Sequence, residues 1–215
     1  MALKKIVMIM YALVLLFFFI GVFLYSQMPD KMASHWNIQG QVDSYMPKFW
    51  GLFLLPFVSL GLSLLFLAIP KIDPLKGNIE KFRNYYDHFA VLIILFFLYI
   101  YLLTVFWNLG FRFRLLQFMI PAIGFLFYYA GILTENAKRN WFVGIRTPWT
   151  LSSERVWNKT HEIGGRLFKI AGVIVFFGLF FIDYAIFFVI IPIFMISGYL
   201  IVYSYVEYQK EVNDR

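Results

Sequence analysis

The chain has 215 residues, of which 61% are hydrophobic and only 14% charged, with 27 Phe, 14 Tyr, 6 Trp and no Cys. Soluble domains carry about 45–50% apolar and about 25% charged residues, and one small core cannot hide this many apolar side chains, so the composition argues against a water-soluble fold. Without Cys there are no disulfides, thiol nucleophiles or thiolate zinc sites, and the formal charge of +7 raises nucleic acid or anionic lipid as partners until the cations are located.

A membrane-crossing helix needs roughly 20 predominantly apolar residues. Six stretches qualify or nearly qualify: Ile6 to Tyr25, Phe49 to Ile69, Phe89 to Trp107, Leu115 to Leu133, Ile170 to Ile182 (beginning near Leu167) and Tyr184 to Val206. The first follows Lys4 and Lys5 but outruns a signal-peptide core and lacks a small-residue cleavage site, so it reads as a retained helix. The fifth is the shortest, and Asp183 marks a tight surface hairpin before the sixth. Pro56, Pro121 and Pro192 recur in the second, fourth and sixth stretches. Each removes a helix hydrogen bond, so three bent helices enclosing an outward-facing vestibule is one reading, and ordinary tolerance of Pro in membrane helices the other.

Sidedness follows from the 19 Lys and Arg. With the N-terminus in the cytoplasm, Lys31, Lys48, Arg112 and Arg114 lie outside and the other 15, from Lys4 to Arg215, lie inside. That asymmetry orients both termini inward, and it explains the net charge through an anionic leaflet without direct nucleic-acid binding. The reading is an all-α integral membrane protein of six transmembrane helices in three hairpins. Residues 1–70 form a first hairpin with its outer loop, and residues 71–215 a four-helix region with a long cytoplasmic loop at 134–166. No stretch carries a charge in its central part, which disfavours an ion-coupled carrier and leaves a passive transporter as a minor alternative.

Two connections are richer than threading requires. The outer "MPDKMASHWNIQGQVDSYMPK" turns at Met28-Pro29-Asp30 and at Gly40, and sets His35, Trp36, Tyr45 and Trp50 as a polar tip on an aromatic base. Interfacial anchoring accounts for the aromatic residues; a compact ligand-binding surface of His35, Trp36, Gly40, Tyr45 and Lys48 accounts for the rest. No second His is near His35, so no metal is expected there.

In the inner loop Gly144 permits a tight backbone, Pro148 makes Thr147 extended, and Ser152 or Ser153 before Glu154 starts a helix that puts Trp157 and His161 on one face. Gly164 and Gly165 then permit close helix approach. "THEIGG" has Gly165 where a zinc helix needs its second His, and Ser152 and Ser153 lack a nucleophile elbow. No catalytic constellation, cofactor or metal site is expected; the alternative is a membrane enzyme or lipid-handling protein using the inner Arg146, Arg155 and Arg166, Trp149 and Trp157, and His161 near headgroups.

"GIRTPWTLSSERVW", Gly144 to Trp157, with the preceding Asn140, resembles the signature of the SdpI family of bacterial immunity proteins. The outer loop, with Pro29, His35, Gly40 and Lys48, is similar to the uncharacterised N-terminal domain that commonly accompanies it. The resemblance implies a multi-pass protein of the cytoplasmic membrane that protects against an externally acting peptide toxin. It also implies signalling to a cytoplasmic transcriptional repressor through the inner loop. Asn140, Gly144, Arg146, Thr147, Pro148, Trp149, Thr150, Trp157 and His161 would there serve a partner or lock the loop in place, with Arg146 capping helix-terminal carbonyls.

Overall fold

The computed structural model describes residues 3–37 and 39–214, with side chains from Lys5 onward. The Lys4 side chain, Ile38 and Arg215, which figure in the sequence reading, lie outside the described residues. Eight α-helices and one two-stranded hairpin are present among them: α1 (Leu3–Leu24), β1 (Lys31–Trp36), β2 (Val42–Pro47), α2 (Lys48–Ile72), α3 (Lys76–Lys81), α4 (Arg83–Asn108), α5 (Leu115–Asn136), α6 (Pro148–Ser152), α7 (Glu154–Phe177) and α8 (Ala185–Asn213). The chain is thus helical and carries segments built for lipid, as composition requires.

Among the described residues, five segments are long and apolar enough to cross a membrane: Lys5–Gln27, Lys48–Ile72, Arg83–Asn108, Leu115–Asn136 and the 60-residue Glu154–Asn213. The last is not one straight rod. It passes through a 3-10 stretch, Gly178–Tyr184, in which Phe181 leaves helical geometry (φ −131°, ψ 58°). Beyond it the chain returns along itself. Lys159 pairs with Glu207 at 2.6 Å, and a Cβ on Gly164 would stand 3.3 Å from Leu200, so α7 and α8 run antiparallel. The reversal falls two residues before Asp183, which is exposed. The helices extend past the uncharged stretches because their polar end turns are self-supporting. Arg83, for instance, opens α4 with ion pairs to Asp87 at 2.7 Å and Glu80 at 3.0 Å.

The outer connection is a correction to an all-helical description. It forms an antiparallel hairpin, with Lys31 opposite Pro47, Met32 opposite Met46 and Ala33 opposite Tyr45. The register then shifts twice, pairing His35 with Ser44 and Trp36 with Val42, which leaves Ser34 and Asp43 as bulged residues. Met32 and Ala33 are buried beneath it, so half of this polar loop has an apolar side to hide.

The chain falls into two compact units, interleaved in sequence: residues 1–67 with 90–119, and residues 68–89 with 120–215. The core of the first joins Ile6, Met10 and Phe17 of α1, Leu52 and Phe53 of α2, and Ile94, Leu98 and Tyr101 of α4. In the second, α5 and α7 approach at glycines. A Cβ on Gly131 would stand 2.6 Å from the Gly165 carbonyl, and one on Gly172 2.7 Å from the Gly124 carbonyl. Small residues let helix backbones pack this closely in lipid, where burial of apolar surface provides no drive.

Candidate functional sites: an outer hairpin pocket and an inner signature knot

The outer site is built on backbone ties. In the turn, the Asn37 side-chain oxygen accepts from the Gln39 and Gln41 amides at 3.1 and 2.9 Å, and Gly40 takes φ +77°. At the base, the Lys48 amide donates to the Asp30 carbonyl at 2.9 Å, and the Lys48 ammonium pairs with the Asp30 carboxylate at 3.0 Å and lies 5.1 Å from the centre of the Tyr25 ring. Gly51 of α2 leaves room for Met32, whose sulfur would lie 2.7 Å from an added Cβ.

The free edge of β1 is held from the last turn of α4. Asn108 accepts from the Ala33 amide at 2.7 Å and donates to the Ala33 carbonyl at 3.2 Å, so one side-chain amide replaces a neighbouring strand. His35 Nδ1 meets the Asp43 carboxylate at 2.5 Å, a contact made possible by the bulge at Asp43.

Between the hairpin and the helix ends lies a mostly apolar pocket of about 320 Å³, walled by residues 33–36 and Met46 of the hairpin, Trp50, Leu54 and Leu55 of α2, Ile100 and Thr104 of α4, and Leu115. None of Pro56, Pro121 and Pro192 lines it, although all three lie inside helices. Trp36 also packs edge-on against Trp107 at 5.5 Å, and the Arg112 guanidinium lies over Trp107 at 3.7 Å. Of the residues expected at an outer surface, His35 and Trp36 reach this pocket. Gly40 shapes the turn, Lys48 secures the base, and Tyr45 is exposed in a separate depression with Lys31, Met46 and Pro47. Asn108 and Trp107 carried no expectation from the sequence, and Arg112 was placed outside with its role left open. An Asn at the end of an otherwise apolar stretch was the available signal.

The inner site is a knot of hydrogen bonds. Asn140 is fully buried; its oxygen accepts from the Phe142 and Val143 amides at 2.9 and 2.6 Å, and its nitrogen donates to the Lys138 and Val143 carbonyls, both at 2.8 Å. All four side-chain bonding positions of that amide are therefore used within its own turn. Gly144 follows at φ +111°, and an added Cβ would lie 2.3 Å from His161 Nε2, so both conformation and space demand glycine.

His161 is buried and stacks on Trp157 with ring centres 3.8 Å apart. Its Nε2 accepts from the Ile145 amide at 2.9 Å, which makes Nδ1 the protonated nitrogen and a donor to the Trp157 carbonyl, also at 2.9 Å. Trp157 in turn donates from its indole to the Ala137 carbonyl at 2.8 Å. Both ring nitrogens of His161 are thus spent on backbone groups. It is placed as a structural strut rather than as a base facing headgroups.

Two caps convert the loop into helices. Thr147 caps α6 reciprocally with Thr150, each side-chain oxygen accepting the other's amide, at 3.2 and 2.9 Å, with Pro148 at the first helical position. Ser153 caps α7 through the Val156 amide at 3.2 Å, and its hydroxyl donates to Glu211 of α8. The Thr147 hydroxyl meets Ser204 of α8 at 3.0 Å, Trp149 packs against Tyr205 at 5.1 Å, and Glu207 takes Lys159 and Lys210 at 2.6 and 2.7 Å. From the other side, the Trp141 amide donates to Asp73 at 2.9 Å and Asn78 donates to the Arg139 carbonyl at 2.8 Å. Arg146 donates to the carbonyl of Trp141 at 2.7 Å, a loop group and not a helix terminus. Trp141 and Phe142 stay exposed.

Long lipid-suited helices around an ordered polar loop define a multi-pass membrane protein. The comparisons make this specific. Residues 136–204, which contain the knot and its α8 partner Ser204, match the SdpI/YfhL protein family, and residues 12–60, which contain the hairpin, match a domain of unknown function (DUF1648). The chain is 23% identical over 201 residues to the Immunity protein SdpI of Bacillus subtilis (strain 168), covering 94% of each. No solved structure matches the chain. The chain is thus similar to the SdpI family, through this family-model match and this relative.

Proposed function

We propose that this chain is a membrane immunity protein that receives an externally acting amphipathic peptide at its outer hairpin. The single observation that carries the reading is the likeness to an immunity protein along 94% of both chains, spanning the hairpin and the knot alike. The pocket under the hairpin supplies the surface such a peptide needs, with His35 and Trp36 at its wall.

Six crossings with both termini in the cytoplasm suit this arrangement. The antiparallel α7 and α8 divide the 60-residue segment into two passes, and 15 of 19 cations then fall inside. The same threading puts bonded neighbours on one face. The hairpin and the connection after Asn108 adjoin in the first unit; the connection at Asp73 to Asn78, the knot and the end of α8 adjoin in the second.

Peptide binding would stabilise one arrangement of the helices over another, and the knot, tied to α5, α7 and α8, would carry that difference to a soluble repressor docking at its exposed Trp141 and Phe142. Survival of cells exposed to secreted amphipathic peptides tests the reading. Deleting the gene is expected to sensitise them, and complementation with His35→Ala or Arg146→Ala to restore less protection than the native chain. Unchanged survival of the deletion strain would reject it.

A further inference from the structure

We propose that the hairpin pocket is a receptor for one aromatic side chain of its ligand, lying next to a carboxylate that Arg112 receives. The proposal deepens the reading of the outer hairpin as the peptide-capturing end and rests on it. The pocket, at about 320 Å³, lies at the low end of the range for ligand sites, enough for one large side chain and its backbone and too small for a helix. Trp36 and Trp50 offer it ring faces and edges, the geometry in which aromatic rings associate best.

Two polar features narrow the occupant further. The indole N–H of Trp36 is buried without an acceptor among the described residues. A buried donor left unpaired is costly, and rotation of the Trp36 ring on binding would bring it to a ligand carbonyl beside the inserted ring. The charge pattern adds the second feature. Asp30 is held by Lys48 and Asp43 by His35, so both carboxylates of the hairpin connection are already engaged. Arg112, by contrast, is exposed and spends one N–H on the Trp107 carbonyl at 2.7 Å, with its central carbon over the Trp107 ring at 3.7 Å. Trp107 packs on Trp36, so this cation stands one ring away from the pocket wall. A guanidinium held over an indole by one of its five N–H groups keeps donors for a planar anion. An aromatic residue at a peptide's free C-terminus, or beside an acidic residue, matches all three features.

The test uses the full chain in phosphatidylcholine nanodiscs and three small probes, N-acetyl-tryptophan, its C-terminal amide and N-acetyl-alanine, with binding read by saturation-transfer NMR. N-acetyl-tryptophan is expected to bind about fivefold tighter than the amide, and N-acetyl-alanine not to bind. Arg112→Gln should equalise acid and amide, Trp36→Phe should weaken both about fivefold, and Thr104→Trp should fill the pocket and abolish both. Unchanged hydrogen exchange at the Ala33 amide shows that each variant keeps the hairpin. Equal affinity for acid and amide in the native chain, or undiminished binding in Thr104→Trp, would overturn the proposal. So would a phospholipid that native mass spectrometry finds retained by the native chain and lost from Thr104→Trp, since that assigns the pocket to an acyl chain. Probe binding without cell protection would sink the immunity reading and leave this one standing; protection without probe binding would do the reverse.

Discussion

Gly144 shows how a single atom is excluded by the inner site. Its positive φ and the His161 nitrogen 2.3 Å from a would-be Cβ leave no place for a side chain. Gly144→Ala is expected to cost about 2–4 kcal/mol, because strain and overpacking coincide, measured as a lower unfolding midpoint of the purified chain in detergent. A midpoint within error of the native value would remove the knot's claim to rigidity. Asn140→Ala deletes four bonds from a buried amide and should cost about 2–3 kcal/mol in the same measurement, mostly through the Phe142 and Val143 amides left unpaired. Gly144 stood out in the sequence through its freedom of backbone, whereas Asn140 was marked only by the resemblance of the signature and not by any local reading of its turn. The role of His161 did not stand out. A His on a helix face announces neither its tautomer nor a backbone partner 16 positions earlier.

Among the elements, the inner helices were the more legible. Ser153 before Glu154 is a start signal that needs no tertiary context, and α7 begins where it says. The hairpin was hidden because its strands are six residues long, broken by two bulges, and each carries an aromatic residue, Trp36 or Tyr45, that membrane interfaces also favour. Its stability depends on a residue 75 positions away, which no local pattern displays. Asn108→Ala is therefore expected to speed hydrogen exchange of the Ala33 amide about tenfold without changing exchange in α4 above its last turn. Unaltered exchange at Ala33 would mean that the hairpin stands without its clasp. Between helices, Gly165→Leu should separate α5 from α7, where a Cβ already meets the Gly131 carbonyl at 2.8 Å. The expected loss is about 3 kcal/mol or more, since backbone and not a flexible side chain is in the way. A thermal midpoint as high as the native one would show the contact to be incidental.

On the scale of the whole chain, the proposed function requires that the hairpin and the knot face different compartments, because only then would a ligand outside have a reporter inside. Composition points to lipid as the solvent, the cation bias is the basis of the proposed direction of threading, and Asp183 marks the fold-back, which falls two residues earlier at Phe181. The break lies within a 3-10 stretch that opens at Gly178 and contains Asp183, so the local signal gave the place of the turn to within two residues, while the turning residue itself, Phe181, carries none. The absence of native Cys makes the threading directly measurable in cells carrying single cysteines. A membrane-impermeant maleimide is predicted to label Gln39→Cys on intact cells and Arg155→Cys only after permeabilisation. Labelling of both positions on intact cells, or of neither until the membrane is opened, would contradict capture on one face and report on the other.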